Sequence, residues 1–382
     1  MTNQRPLIIV SGTAHWGSRK LAEHHVARHL TQYARVLFVD PPVSPLTLRR
    51  RPDLVIDAPA ATPRELDADL FLMSPVVLPG KDRRGMVRVT DGQVRRQLRR
   101  ATRELGGEVM ATILTLPQRY LFDRRSGGRR VYWAKDDHRA GAHLYGLDPR
   151  QLARTECRLV ASAHDFLVCS DELANTWRGR GAEPVVLPNG CDVSHFAAAG
   201  TRPRPADVDQ DRCYVAFVGT LADRIDADAL LAVADRGIDV LLVGAPRRTS
   251  PWPELAALLR HPSIHHVGGR RYEELPDYLG AAQVGLLPYR VDEYNRGSFP
   301  LKLLEYLAAG LPVVSTDLPA VRWLDAPDVR VAQDPSAFAD AVVLQLAQEA
   351  RHDRRDVRRR FAAGHDWSQR AAALATLLGL QA

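Results

Sequence analysis

The stretch FPLKLLEYLAAGLPVVST, residues 299–316, decides the fold. Leu, Ala and Tyr dominate its first part, which is typical of a buried helix, yet Lys302 and Glu305 lie in the first turns. Gly310 and Pro312 predict the end of that helix directly before the apolar run LPVVST. A helix that leads straight into a buried strand is one step of a parallel α/β sheet.

The start of this helix has side chains suited to a diphosphate and a ribose. Pro300 fits the first helical position, because its missing N–H would be unpaired there anyway. The amides of Leu301, Lys302 and Leu303 would then point outward with the positive end of the helix dipole, where phosphates bind. Glu305, one turn deeper, could accept hydrogen bonds from ribose hydroxyls. The N-cap would be Ser298 or Phe299.

An alternative explanation of the two charges is an ordinary ion pair. Lys302 and Glu305 are three residues apart, and such a pair on a helix surface contributes about 0.3 kcal/mol. The neighbouring residues are mostly apolar, which leaves the helix little polar surface. A buried carboxylate needs a partner, so the sequence favours a functional role while leaving the ion pair open.

The same alternation of short apolar runs and helix-period segments continues through the whole chain, which predicts an α/β protein of doubly wound parallel sheets. Helices are predicted at 18–34, 91–105 and 148–163, the last with Asp148 as N-cap. The predicted strands of the first half are 7–12, 35–40, 70–75, 109–116, 129–136, 165–170 and 184–190. Those of the second half are 213–219, 239–244, 263–269, 283–289, 311–316 and 329–332.

Two domains are expected from this pattern. The segment 197–211 is rich in Pro, Gly and charge and has no periodicity, so we interpret it as the linker. Residues 1–196 would form the first domain and 212–364 the second, while an amphipathic helix at 365–382 would pack back on the first. Two such sheets facing one another place a ligand at the carboxyl ends of their strands.

Composition narrows the class of protein. The 382 residues are 45% apolar and 25% charged, enough for two cores. No run of eighteen apolar residues and no leader pattern is visible, which predicts a cytoplasmic protein. The four cysteines form no C-x-x-C pair, and neither H-E-x-x-H nor Asp-x-Asp occurs at a strand end. We therefore expect free thiols and no metal site.

Charge is concentrated in the first half. Residues 1–190 hold 30 Lys and Arg against 20 Asp and Glu (+10), while 191–382 hold 22 against 25 (−3). The basic clusters lack interleaved aromatic residues, which argues against nucleic acid and favours an acidic acceptor or the inner face of a membrane. Substitution of Arg for Lys on solvated faces is the alternative, since only four lysines occur. These clusters lie at 49–51, 81–84, 95–100 and 124–130.

Several stretches together resemble one family. FPLKLLEYLAAGLPVVSTDLP resembles the donor-binding segment of retaining GT-B glycosyltransferases, the group 1 or family 4-like transferases. AFVGTLADRIDADALLAVA (216–234) resembles the first strand and helix of their donor domain. IHHVGGRRYEELPDYLGAAQVGLLPY (264–289) resembles the segment beside the base and sugar, and DFLVCSDELANTWRGRGAEPVVLPNGCDVSHF (165–196) the end of the acceptor domain. The resemblance implies a GT-B fold of two facing Rossmann-like domains.

The resemblance also implies roles for individual residues. Arg224 and Lys302 would stabilise the leaving diphosphate, and Glu305 would hold the ribose. The residues expected to be catalytic are Arg224, Lys302, Asp137 and His138. Those expected to bind the donor are Gly12, His15, Gly17, Gly219, Gly268, Arg270, Tyr289, Asn295, Ser298, Pro300, Leu301 and Glu305.

The chain departs from the family at two places. Gly297 stands where many members carry a first Glu that touches the donor sugar; Tyr289, Asn295, Arg296 and Ser298 are the candidate replacements. The strand that often ends in a His ends here in Leu116-Pro117-Gln118, so Asp136, Asp137 and His138 could supply the polar groups.

Structural roles remain open for several of these residues. Asp136 and Asp137 could cap a turn, Gly12 and Gly17 could simply shape a strand-to-helix turn, and His15 could be an exposed loop residue.

The function implied is transfer of a sugar from a UDP- or GDP-linked donor to an acceptor hydroxyl, with retention of configuration and without a metal. The acceptor would be anionic, lipid-linked or a small molecule, and no nucleic acid is expected. Alternatives on the same fold are a sugar-nucleotide epimerase, a pseudo-glycosyltransferase that couples cyclitols, or a non-catalytic nucleotide-binding homologue. A nicotinamide enzyme is disfavoured, because no G-x-G-x-x-G follows either first strand.

Overall fold

The structure is a computed structural model that describes residues 5–18, 20–81 without 51–61, 83, 85–117, 121–122, 127–145, 148–247 and 252–381. Gln118 and several members of the basic clusters lie outside the described residues. These are Arg51, Asp82, Arg84, Arg124 and Arg125, together with the side chain of Arg50.

Within these ranges the first lobe is built on an eight-stranded sheet. Its strands are β1 (Leu7–Ser11), β2 (Arg35–Val39), β3 (Arg64–Asp67), β4 (Leu70–Met73), β5 (Val109–Leu114), β6 (Arg129–Ala134), β7 (Asp165–Val168) and β8 (Val185–Val186). They lie in the order β3-β4-β2-β1-β5-β6-β7-β8. Neighbours are parallel except β3, which runs antiparallel to β4 at the edge. The sequence did not predict β3, because RELD is polar and edge strands need no apolar run.

Helices cover the faces of this sheet. They are α1 (Ala22–Leu30), α2 (Pro45–Arg50), α3 (Val87–Leu105), α4 (Pro149–Ser162) and α5 (Asp171–Arg178). The next helix, α6 (Val193–Ala197), packs instead against helices of the second lobe. The Asp148 cap is confirmed, since its side chain accepts a hydrogen bond from the amide of Gln151. α1 begins later than predicted, because the amide and hydroxyl of Ser18 both bond the carbonyl of His15 in a preceding turn.

The second lobe contains a fully parallel sheet, six-stranded among the described residues. Its strands are β9 (Tyr214–Val218), β10 (Asp239–Val243), β11 (Ile264–Gly268), β12 (Ala282–Leu287), β13 (Val313–Thr316) and β14 (Val329–Ala332), in the order β11-β10-β9-β12-β13-β14. The helices that follow α6 are α7 (Ala227–Ala234), α8 (Leu255–Leu258), α9 (Leu275–Gly280), α10 (Glu293–Gly297), α11 (Leu301–Ala309), α12 (Pro319–Leu324), α13 (Pro335–Glu349), α14 (Arg355–Ala363) and α15 (Trp367–Leu377).

The predicted fold class is confirmed. In each sheet the chain order reverses beside the first strand, β1 or β9, and ligands of such sheets bind beyond the carboxyl ends at that point. α15 lies on the first lobe, where Trp367 joins the apolar cluster of Ile8 and Val10 and stacks on His25 with ring centroids 5.5 Å apart. The domain bounds given above stay a prediction.

Two further features follow from the structure. Cys169 and Cys191 are buried, Cys157 and Cys213 are exposed, and all four thiols are free. In the part of the chain that the structure describes, no helix combines the length and the apolar character needed to cross a bilayer.

Candidate active site

The start of α11 differs in detail from the prediction. Pro300 is the N-cap, with φ −76° and ψ 88°, so the helix begins one residue later than expected. The amide of Leu303 donates to the carbonyl of Pro300 at 3.0 Å, and the expectation that it points outward is wrong. The amides expected to face a phosphate are therefore those of Leu301 and Lys302. Leu301 itself packs against the apolar cluster of the first lobe, so this helix start lies where the lobes meet.

Lys302 and Glu305 form an ion pair, with Lys302 Nζ 2.6 Å from Glu305 Oε2. The pair is not a surface pair, because Glu305 is only 8% exposed. Burial raises the pKa of the Cys191 thiol and of the Tyr272 phenol, and the nearby Glu305 carboxylate raises both further. Cys191 follows the last strand of the first lobe, whereas Glu305 lies on a helix of the second, so the Glu305 carboxylate lies at the inter-lobe junction.

Arg224 lies between two tyrosines of the second lobe. Its guanidinium carbon is 4.4 Å from the ring centroid of Tyr289 and 5.0 Å from that of Tyr294. Asn295 fastens the loops around it, since Nδ2 donates to the carbonyls of Arg224 at 3.2 Å and Arg290 at 2.9 Å. The aromatic faces attract the cation and fix its direction. Arg224, Tyr289 and Asn295 are thus brought together in the structure, while their roles in binding the donor stay predictions.

The segment at Gly297 touches the first lobe. The carbonyl of Gly297 accepts a hydrogen bond of 2.7 Å from the hydroxyl of Ser170, which caps α5. The Ser298 hydroxyl lies 3.1 Å from Asp136 Oδ1. A Cβ added to Gly297 would lie 3.4 Å from the Cβ of Asp137. The place of the missing family Glu therefore adjoins the two aspartates at the end of β6.

Asp137 has the structural role that the sequence left open. Its Oδ1 accepts hydrogen bonds from the amides of Arg139 at 3.0 Å and Ala140 at 3.1 Å, which is a capped turn. Its Oδ2 lies 3.6 Å from Arg180 Nη2. His138, beside it, is 3% exposed. Catalytic roles for Asp137 and His138 stay predictions.

The loop after β1 is shaped by packing. A Cβ at Gly12 would lie 2.7 Å from a ring carbon of Phe38, so the absence of a side chain there needs no ligand to explain it. His15 is buried, and the alternative of an exposed loop histidine is wrong. Its Nδ1 lies 3.5 Å from Asp40 Oδ2. Gly17 lies in an exposed turn of the same loop.

A buried ion pair that the sequence analysis missed holds this loop. Glu23 of α1 is fully buried, accepts a hydrogen bond of 2.8 Å from the amide of Thr13, and pairs with Lys135 at the end of β6. Burial acts to raise the pKa of Glu23, but the charges of Lys135 and His24 and the hydrogen bonds from Lys135 and Thr13 lower it to about 2. The available signal was the rarity of lysine, which marks Lys135 as much as Lys302.

The segment 264–289, expected beside the base, also has structural roles. Gly268 has φ +79°, which favours glycine. The side chain of Arg270 pairs with Asp207 and bonds the hydroxyl of Tyr278, so it fastens the predicted linker to the second lobe. The Arg270 side chain is therefore engaged within the protein, and its role in donor binding stays a prediction. Gly219 follows β9 and donates its amide to Val243 at 2.9 Å.

Among the residues whose placement is described, no group of three or more His, Cys, Asp or Glu side chains is arranged to hold a metal ion.

Comparison with known proteins agrees with this architecture. Residues 212–348 match the family model described as "Glycosyl transferases group 1". A putative teichuronic acid biosynthesis glycosyltransferase of Bacillus subtilis, TuaH, is 30% identical over 224 residues, which is 56% of each chain. The match thus spans little more than half the length of this curated relative.

Solved structures match over almost the full chain. Sucrose-phosphate synthase from Thermosynechococcus elongatus has a TM-score of 0.73 at 16% identity, covering 98% of both chains. Anabaena Alr3699/HepE, solved with UDP and glucose, has a TM-score of 0.65 at 13% identity, covering 98% of this chain and 100% of its own. Likeness at this identity defines the fold, which is GT-B. The match of residues 212–348 to the group 1 model agrees with the resemblance inferred from sequence for the second lobe.

Proposed function

We propose that the protein transfers a sugar from a nucleoside diphosphate sugar, linked to UDP or GDP, to an acceptor hydroxyl. The observation that carries this proposal is the buried Lys302–Glu305 pair at the start of α11, at the junction of the lobes. The ribose hydroxyls donate to Glu305, and the diphosphate lies against the amides of Leu301 and Lys302. The presence of UDP in the Anabaena structure supports this choice of donor.

The ion pair reduces the electrostatic repulsion expected in such a site. The Glu305 carboxylate that binds ribose would repel the adjacent diphosphate, and the Lys302 ammonium, 2.6 Å from Glu305 Oε2, offsets that repulsion. When the bond between the sugar carbon and the phosphate oxygen breaks, negative charge grows on the leaving diphosphate. Arg224 and Lys302 stabilise that charge, which lowers the barrier.

The stereochemistry and the proton transfer belong to the same proposal. The acceptor oxygen bonds to the sugar carbon on the face that the diphosphate leaves, so configuration is retained. The acceptor proton passes to the leaving phosphate oxygen, and neither a metal nor a protein base takes part. The reaction is placed in the cytoplasm, with the basic first lobe able to approach the inner face of a membrane.

A nucleotide panel tests the donor site. UDP and GDP are added to the wild type and to Glu305→Gln, and the melting temperature is recorded; a ligand at 100 times its Kd stabilises by about 2.7 kcal/mol. We expect one nucleotide to stabilise the wild type and to lose most of that effect in Glu305→Gln. The matched control is Asp340→Asn on α13, which breaks an exposed ion pair with Arg236. This variant should respond as the wild type does.

The outcome that overturns the donor site is equal stabilisation of the wild type and Glu305→Gln, or no stabilisation at all. With the preferred donor identified, the anomeric configuration of the product by NMR tests retention. Full activity in the presence of a chelator tests independence from metal.

A further inference from the structure

A cavity of about 450 Å³ opens at the mouth between the lobes. Its charged lining consists of Arg139 after β6, Arg150 and Arg154 on α4, Arg180 after α5, and Glu293 on α10. Four positive charges therefore face one negative charge. Such an excess of positive charge along one concave surface attracts anions.

The arginines have few partners of their own. Arg150 and Arg154 are both exposed and lie one turn apart on α4, so they share one face of the helix. Across the described residues neither takes part in an ion pair. Arg180 Nη1 is buried without a hydrogen-bond partner, and Arg180 Nη2 reaches only Asp137, at 3.6 Å. Donors that the protein leaves unsatisfied are thus aligned along this cavity.

The cavity adjoins the place where the sugar would be transferred. Glu293 and Gly297 are the two ends of α10, and four residues of helix rise span about 6 Å. Arg139 directly follows the Asp137-His138 turn, against which Gly297 packs. An acceptor bound in the cavity would therefore have its far end near the donor sugar.

We propose that this cavity binds a phosphate group of the acceptor, an inference that rests on the proposed function. The ligand is a phosphate rather than a carboxylate because four arginines face only Glu293 and the Asp137 carboxylate beside Arg180, which leaves an excess of two positive charges. A single carboxylate would neutralise one of them, whereas a phosphomonoester or diphosphate offers several oxygens to paired guanidinium groups. The phosphate belongs either to a water-soluble phosphorylated sugar or to a lipid-linked one.

Binding of inorganic phosphate is the direct test, measured by calorimetry with a saturating concentration of UDP or GDP, whichever the panel selects, so that the donor site is filled. Arg150→Gln combined with Arg154→Gln should weaken phosphate binding about tenfold or more, because each removes a charge-assisted hydrogen bond. Arg158→Gln is the matched control, since Arg158 is exposed on the same helix but does not line the cavity. It should bind phosphate as the wild type does.

Two results would overturn the proposal: phosphate affinity unchanged in the double variant, or reduced equally in Arg158→Gln. The response to the two nucleotides separates this failure from failure of the donor site. If UDP or GDP binds and phosphate does not, only the cavity is wrongly assigned, whereas a wild type that binds neither nucleotide refutes the donor site.

The same variants distinguish the two sources of phosphate. The protein is sedimented with phosphatidylcholine vesicles that contain or lack phosphatidic acid. Sedimentation that requires both phosphatidic acid and the two arginines, Arg150 and Arg154, supports a lipid-linked acceptor. Binding of a soluble sugar phosphate without such sedimentation supports a soluble one.

Discussion

The two walls of the inter-lobe cleft are held together in different ways. On the second lobe the buried ion pair is local, because Lys302 and Glu305 are three residues apart on one helix. On the first lobe the buried ion pair joins distant parts of the chain, because Glu23 and Lys135 are 112 residues apart. Local pairs can be inferred from a helical repeat, whereas distant pairs depend on the order of strands in the sheet. The wall of the first lobe is thus the one that the sequence describes poorly.

The largest difference between the walls should appear on removing one lysine from each. Lys135→Met leaves the fully buried Glu23 without its cation and should lower the free energy of unfolding by about 3–5 kcal/mol. Lys302→Met should cost less than that, because the side chains of Lys302 and Glu305 keep 21% and 11% of their surface exposed and the remaining carboxylate can still contact water. Urea denaturation of both variants measures the two values. Equal losses would show that the two pairs are equivalent.

Acid should weaken the first lobe through His25. Burial lowers the pKa of His25 from 6.5 to about 4, against the opposing effect of Asp192 and with help from His24, Lys20 and His29. The unfolded chain then takes up a proton at a higher pH than the folded one. The free energy of unfolding should therefore fall by up to about 3 kcal/mol as pH drops from 6.5 to 4.

The slope of the unfolding free energy against pH tests that expectation, because it does not depend on the stability of each variant at neutral pH. His25→Gln should flatten the slope between pH 6.5 and 4, while His352→Gln, at an exposed histidine, should keep the wild-type slope. As pH falls further, from 4.5 towards 2, Glu23 should lower the free energy of unfolding again. Its lowered pKa shows that the folded protein favours the charged carboxylate, and that stabilisation is lost on protonation. A slope unchanged by His25→Gln contradicts the assignment.

A smaller effect is expected from adding one methyl group to each wall. Gly12→Ala places a Cβ 2.7 Å from Phe38 and 2.8 Å from the carbonyl of Ala14, so it should cost about 1–3 kcal/mol. Gly297→Ala meets Asp137 only at 3.4 Å, an ordinary contact, and should cost less than about 1 kcal/mol. Thermal unfolding of the two variants provides the comparison. A more damaging change at Gly297 would mean that the lobes are packed more tightly there than the distances indicate.

The same contrast, between local contacts and contacts that join distant parts of the chain, explains which features the sequence predicts. The apolar runs locate the parallel strands of both sheets, but not β3, whose residues are polar. The helix start at Pro300 is predicted to within one residue, because proline and dipole chemistry act locally. The capped turn at Asp137 is one of the alternatives that the sequence offers, whereas the Glu23–Lys135 pair and the burial of His15 are beyond such inference. Each depends on which strands become neighbours, and one sequence does not encode that in any short pattern.

The central claim is that Glu305 accepts the ribose hydroxyls of a nucleoside diphosphate. Calorimetry with the nucleoside diphosphate that the panel selects and with its 2′,3′-dideoxy analogue, on the wild type and on Glu305→Gln, tests it most directly. We expect the wild type to bind the natural nucleotide about tenfold or more tightly than the analogue, since two hydrogen bonds to a charged group are lost in the analogue. We expect Glu305→Gln to bind the two nucleotides with nearly equal affinity. The same preference in both proteins would contradict it.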